Sequence, residues 1–136
     1  MATRSRSNSA RAVAPSYSAD EGGSTISAID LGTGAVSSVP NPVAPHNVDL
    51  TSDGCFLLAV GTPASGNHGS GGHGHDGGAA GVLVILDPQN LSESAVTVEV
   101  GAHPAHLVAD TRGRAYASLS GADEGAVVGL AIASVI

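Results

Sequence analysis

The chain has no lysine and no tryptophan, and only one cysteine, one phenylalanine and two tyrosines. Each scarcity excludes something. A single cysteine, Cys55, rules out an intramolecular disulfide framework. It follows a turn and opens an apolar run, which predicts a buried structural thiol rather than a nucleophile. With so few aromatic rings, the core must be assembled from Val, Ile, Leu and Ala, each burying less area, so a thin core is expected. The longest terminal apolar run, 126–136, is eleven residues and too short to span a bilayer.

Charge is also missing where nucleic acid would need it. Three of the five arginines (Arg4, Arg6 and Arg11) lie in the first eleven residues, whereas all twelve acids lie from Asp20 onward. A body this acidic is repelled by phosphate backbones, so nucleic acid is not expected as a partner. Residues 1–20 form a basic, Ser/Arg-rich, aperiodic tail and are expected to be disordered. Residues 1–19 lack the continuous apolar segment of a secretory signal.

What is abundant is glycine, at 19 residues, and with it a repeat. Ala44-Pro45-His46-Asn47-Val48-Asp49-Leu50-Thr51-Ser52-Asp53-Gly54 aligns without a gap on His103-Pro104-Ala105-His106-Leu107-Val108-Ala109-Asp110-Thr111-Arg112-Gly113. Each stretch is followed by an apolar run (55–60 and 115–119) and preceded by an apolar segment ending in aspartate, Ile26-Ser27-Ala28-Ile29-Asp30 and Val82-Leu83-Val84-Ile85-Leu86-Asp87. Period-2 patterning and Gly, Pro, Asn and Asp punctuation predict an all-β chain of about nine strands. They fall near 24–30, 35–39, 46–51, 55–61, 82–87, 95–100, 105–110, 114–119 and 126–132.

Spacing exposes an insertion. Val60 and Asp87 are 27 positions apart, whereas Leu119 and Ala131, taken as their counterparts, are 12 apart. About fifteen extra residues therefore lie in 63–78. Without them the repeat is a little over forty residues, the length of a four-stranded propeller blade.

Pro45-His46-Asn47-Val48, the Ser52-Asp53-Gly54 turn and the Thr25-to-Asp30 strand ending in Ile-Asp together resemble the YVTN-type β-propeller repeat. The family's Tyr-Val-x-Asn strand stands here as Leu57-Leu58-Ala59-Val60 and Tyr116-Ala117-Ser118-Leu119, and Ala131 occupies the place of an aspartate. The resemblance implies a partial β-propeller of four-stranded antiparallel blades over 21–136. One complete blade would span about 46–100, with partial blades on either side. Propellers take about four to eight blades, so it also implies a fragment of a larger propeller, completed by missing blades or by other copies in a homo-oligomer. A periplasmic or secreted setting is implied as well.

The strongest chemical signal lies in the insertion: His68, His73, His75 and Asp76, four potential ligands within nine residues. Neutral imidazoles and a carboxylate are ligands for Zn²⁺ and other divalent transition metals. The same stretch also reads as a glycine-rich surface loop with incidental histidines. In an up-and-down blade this loop emerges on the same face as the crossovers carrying His46, His103 and His106. All six histidines are therefore expected at one face. His46 and His106 equally suit a role in satisfying backbone groups at blade entry.

Three functions follow as expectations. One is a non-catalytic binding or scaffold module with a protein partner. Another is a metal-binding propeller, similar to zinc metallochaperones that pair a His-rich loop with a propeller. The last is a remnant of a propeller enzyme such as a lactonase or haem-containing reductase. No nucleophile-elbow, dinucleotide or phosphate-loop pattern occurs.

Overall fold

The computed structural model describes residues 15–63, 80–93 and 95–136. Among them there is no helix, and so none long and apolar enough to cross a membrane. Eleven strands follow in chain order: β1 (Ser16–Asp20), β2 (Thr25–Ile29), β3 (Val36–Pro40), β4 (Val43–Leu50), β5 (Leu57–Pro63), β6 (Ala80–Leu86), β7 (Val96–Ala102), β8 (Pro104–Ala109), β9 (Arg114–Leu119), β10 (Glu124–Gly129) and β11 (Ser134–Val135). Consecutive strands pair antiparallel into three sheets, β1-β2-β3, β4-β5-β6-β7 and β8-β9-β10-β11. The sheets do not close on one another into a ring.

Aspartates shape the hairpins. The carboxylates of Asp30, Asp53, Asp87 and Asp110 accept the backbone N–H two residues on, from Gly32, Cys55, Gln89 and Arg112, at 2.8 to 2.9 Å. That bond bends the chain locally and ends the strand before it. Gly54 and Gly113 complete two of these turns at φ of 75° and 87°, a left-handed conformation that glycine adopts without steric cost.

The second sheet is buried on both faces. Leu58, Val60, Leu83 and Ile85 enter a core shared with Ala115, Ala117, Leu119 and Val128 of the third sheet. Leu57, Ala59, Val84 and Leu86 enter another with Ile26, Tyr17 and Val39 of the first. Successive residues point to opposite faces, so two-sided burial requires the unbroken apolar runs of β5 and β6. In β9 the pattern alternates strictly, with Ala115, Ala117 and Leu119 buried and Arg114, Tyr116 and Ser118 turned outward.

Strand pairing corrects the repeat register. The gapless alignment holds along β4 and β8, where His46 and Ala105 both occupy the extra position of a β-bulge. The hairpins that follow differ in length, because Leu50 pairs with Leu57 whereas Ala109 pairs with Ala115, one residue sooner. Leu58 therefore corresponds to Tyr116 and Val60 to Ser118, not to Leu119. A one-residue slip moves every side chain to the other face. On β10, the partner register sets Val128 against Leu86, so Asp87 corresponds to Gly129 rather than Ala131.

Strand β1 lies in the stretch read from sequence as tail. Its Tyr17 pairs with Ala28, as Leu58 pairs with Ile85 and Tyr116 with Val127, which makes it a third copy of the same strand. With one large apolar residue among Ser16, Ser18 and Ala19, its alternation is too weak to stand out in sequence; pairing to β2 and packing of Tyr17 against the second sheet hold it.

Candidate functional site

The bulge in β4 sets the geometry of one end of the molecule. Pro45 pairs with Gly61 and Asn47 with Val60, leaving His46 as the extra residue. A bulge re-aims its side chain and bends the strand. Gly61 permits the close approach, since a Cβ there would overlap the carbonyl of Ala44. The β7–β8 connection turns through His103, which adopts φ of 53°. Its carbonyl accepts hydrogen bonds from the Ser120 N–H and hydroxyl, both at 3.0 Å, and these hold the connection in place.

These elements surround a cavity of about 200 Å³ lined by Glu21, His46, Gly61, Thr62, His103, Pro104, Ala105 and Ser120. His46 Nδ1 lies 3.3 Å from Glu21 Oε2, with both side chains about half exposed. The His46 and His106 rings meet edge to face, with centroids 6.4 Å apart. Three of the residues anticipated from sequence thus gather at one end, His46 and His103 on the cavity and His106 beside it. Glu21 was not anticipated, because the β1–β2 turn that carries it adjoins the stretch assigned to the tail.

His68, His73, His75 and Asp76 lie outside the described residues. Strand β5 ends at Pro63, next to the cavity-lining Thr62, and β6 begins at Ala80, paired with Ala102 beside His103. Both described flanks, Pro63 and Ala80, thus lie at the end that carries His46 and His103. An imidazole, a carboxylate and a second imidazole are donors suited to a divalent transition metal. Among the described residues, no group of three or more His, Cys, Asp or Glu side chains is close enough to hold one.

The opposite end is a shallow hollow of about 40 Å³ between the two long hairpins, lined by Thr51, Asp53, Asp110, Thr111 and their neighbours. The Asp53 carboxyl is held below the usual carboxylate range, first by the Cys55 N–H and then by the Thr51 hydroxyl. Asp110 is lowered too, by the N–H groups of Arg114 and Arg112 and by the Tyr116 hydroxyl at 2.8 Å. Cys55 is exposed, not buried as its place in an apolar run suggests, because it belongs to the six-residue hairpin rather than to β5. The negative charge of Asp53 raises its thiol pKa, which works against nucleophilic use. The chain matches no family model, and no curated protein matches it.

Proposed function

We propose that the chain is a non-catalytic β-propeller repeat module of YVTN type, in which each sheet is a blade and the work of the module is binding. The observation that carries this reading is the register. Tyr17, Leu58 and Tyr116 occupy the same position in three sheets, and the first and second sheets each pack the equivalent face onto the next sheet in chain order. That relation of unit to unit is what a blade array requires. β4 and β8 would be the innermost strands, and the binding end would be the one carrying His46 and His103.

A second reading, zinc binding of the metallochaperone kind, is favoured by one observation. The cavity with Glu21, His46 and His103 adjoins Thr62, the last cavity residue before the His-rich connection. On this reading the metal ligands would be supplied by His68, His73, His75 and Asp76, residue types that suit Zn²⁺.

Two variants of the full chain test both readings. Replacing 64–79 by a short Gly-Ser linker leaves the β-sheet circular dichroism and melting temperature unchanged if the sheets carry the fold; collapse of the fold would refute the blade assignment. Replacing His68, His73 and His75 by serine abolishes near-stoichiometric Zn²⁺ uptake in calorimetry if the segment binds metal. Unchanged uptake would remove the second reading.

A further inference from the structure

The first and second sheets lead to the next sheet through connections of equal length that take different paths. Pro40 pairs with Thr25 and Glu99 with Val82, equivalent pairs of the two ladders. Counting on from them, Asn41-Pro42-Val43-Ala44 corresponds to Val100-Gly101-Ala102-His103, and each run leads into a proline, Pro45 or Pro104. The first ladder stops at Pro40–Thr25. The second passes a bulge at Val100 and adds two pairs, Gly81–Gly101 and Ala80–Ala102.

That extension has a backbone cost. Gly101 takes φ of 131° and His103 takes φ of 53°. Their counterparts do neither, since proline at position 42 fixes φ at about −65° and Ala44 lies in β4, paired with Thr62. A left-handed residue other than glycine is disfavoured about five- to thirty-fold on its own. A residue before proline is further drawn to extended backbone. Two added ladder pairs offset these costs with a gain of the same order. The two paths are therefore close in free energy.

Two glycines permit the longer ladder. A Cβ at Gly81 would overlap the Pro104 ring and the Gly101 carbonyl, and one at Gly101 would overlap Leu119. The counterparts of Gly81 are Ser24 and Asp123, which turn the chain at φ of 55° and 56° instead of pairing. The path also decides where an imidazole sits. The His103 ring lies on Gly121, where a Cβ would overlap its Cδ2, and it lines the cavity beside Glu21 and His46.

We infer that the β7–β8 connection is a two-position element that couples Ala80 to the cavity. In one position the ladder reaches Ala80–Ala102, and His103 is left-handed with its ring on Gly121. In the other the ladder ends at Val82–Glu99, as in the first sheet, and His103 joins β8 as Ala44 joins β4. Side chains of a strand stand off the sheet in alternation, so the ring then leaves Gly121. Whatever draws Ala80 off β7 thus withdraws His103 from the cavity. Ala80 is the first described residue after the connection that holds His68, His73, His75 and Asp76. The use of this element rests on the reading of that end as the binding end; its existence does not.

Nuclear Overhauser spectra of the isotope-labelled full chain test the inference without any ligand. A left-handed residue gives a strong cross-peak between its own amide and α protons, and an extended one gives a weak peak. The wild type should show the strong peak at His103, a contact from His103 Hδ2 to the Gly121 α protons, and cross-strand contacts between Ala80 and Ala102. Gly101→Pro gives the second connection the residue of the first and should abolish all three signals together. Gly81→Ala, whose Cβ overlaps the Gly101 carbonyl, should do the same and serves if Gly101→Pro does not fold. Unchanged amide shifts along β5 and β9 show that the sheets of a variant are intact. A weak His103 peak in the wild type would overturn the proposal. So would a folded variant that keeps all three signals, or one that loses the Ala80–Ala102 contacts and keeps the strong His103 peak. None of these outcomes involves binding, so each is distinct from a failure of the binding reading.

Discussion

The second and third sheets follow one plan, four consecutive strands with the same pairing and the same bulge, yet they bury equivalent residues differently. Leu58 is 0% exposed and its counterpart Tyr116 is 36% exposed; Ile85 is buried, whereas its counterpart Val127 is half-buried. The strand itself does not decide burial; the sheet stacked upon it does. That is why β5 reads as a continuous apolar run and β9 as an alternation, although both are second strands of their sheets.

Paired substitutions sharpen the contrast. Leu58→Ala should destabilise the chain by about 2–5 kcal/mol, since a fully buried leucine leaves a cavity between two sheets. Tyr116→Ala should cost less, about 0.5–1.5 kcal/mol, because it removes a part-exposed ring and the hydroxyl's hydrogen bond to Asp110. Urea unfolding of the two variants checks this, and equal losses would mean that the third sheet's outer face is not free.

Gly81→Ala comes next. A Cβ at Gly81 would overlap the Pro104 ring where the second sheet meets the β7–β8 connection, and overpacking of that kind costs about 1–3 kcal/mol. Its counterpart by register is Asp123 in the β9–β10 turn, where there is no such overlap and Asp123→Ala should cost less, about 0.5–1 kcal/mol, for placing alanine at φ of 56°.

A smaller effect separates the first strands. Asn47 Oδ1 accepts the Leu107 N–H at 3.0 Å, and Asp49 Oδ2 accepts the Ala109 N–H at 3.1 Å, joining β4 to β8 across the sheet interface. Asn47→Ala strands a part-buried donor and should cost about 1–2 kcal/mol. His106 holds the equivalent place in the third sheet, where among the described residues its side chain accepts no such backbone N–H, and His106→Ala should be close to silent in the same unfolding assay.

The smallest difference is one of pH. Asp53 and Asp110 have folded pKa values below the ordinary carboxylate value, so the unfolded chain takes up protons more readily at these sites. Their contribution is therefore complete above the unfolded pKa of about 3.9 and fades as pH falls through the lower folded values. Melting temperatures recorded between pH 6 and about pH 2.5 should drop below about pH 4, and Asp53→Asn or Asp110→Asn should flatten part of that drop.

Much of this architecture was legible because it rests on turn chemistry and alternation, which are local. Asp30, Asp53, Asp87 and Asp110 mark strand ends in the sequence and make the same turn bond in the structure. Faces were not legible. The hairpin after β8 is one residue shorter than that after β4, and no composition signal reveals which hairpin lost the residue. Only pairing shows that Tyr116, not Ala117, corresponds to Leu58. β1 was hidden for a related reason, since Ser16, Ser18 and Ala19 give it little apolar pattern of its own.

At the candidate site, the grouping of His46, His103 and His106 followed from strand order alone. Glu21 needed the β1–β2 pairing, and the exposure of Cys55 needed the hairpin's true length.

The central claim is that the third sheet stacks on the second as its successor in a repeat. Amide hydrogen exchange at Leu107 and Ala109 tests it most directly, because those N–H groups bond to Asn47 and Asp49 across the sheet interface rather than within the third sheet. The account predicts slow exchange at both amides in the wild type and selective acceleration at Leu107 in Asn47→Ala. Fast exchange at both in the wild type, with the β8–β9 ladder still protected, would show that the two sheets form without stacking and would contradict it.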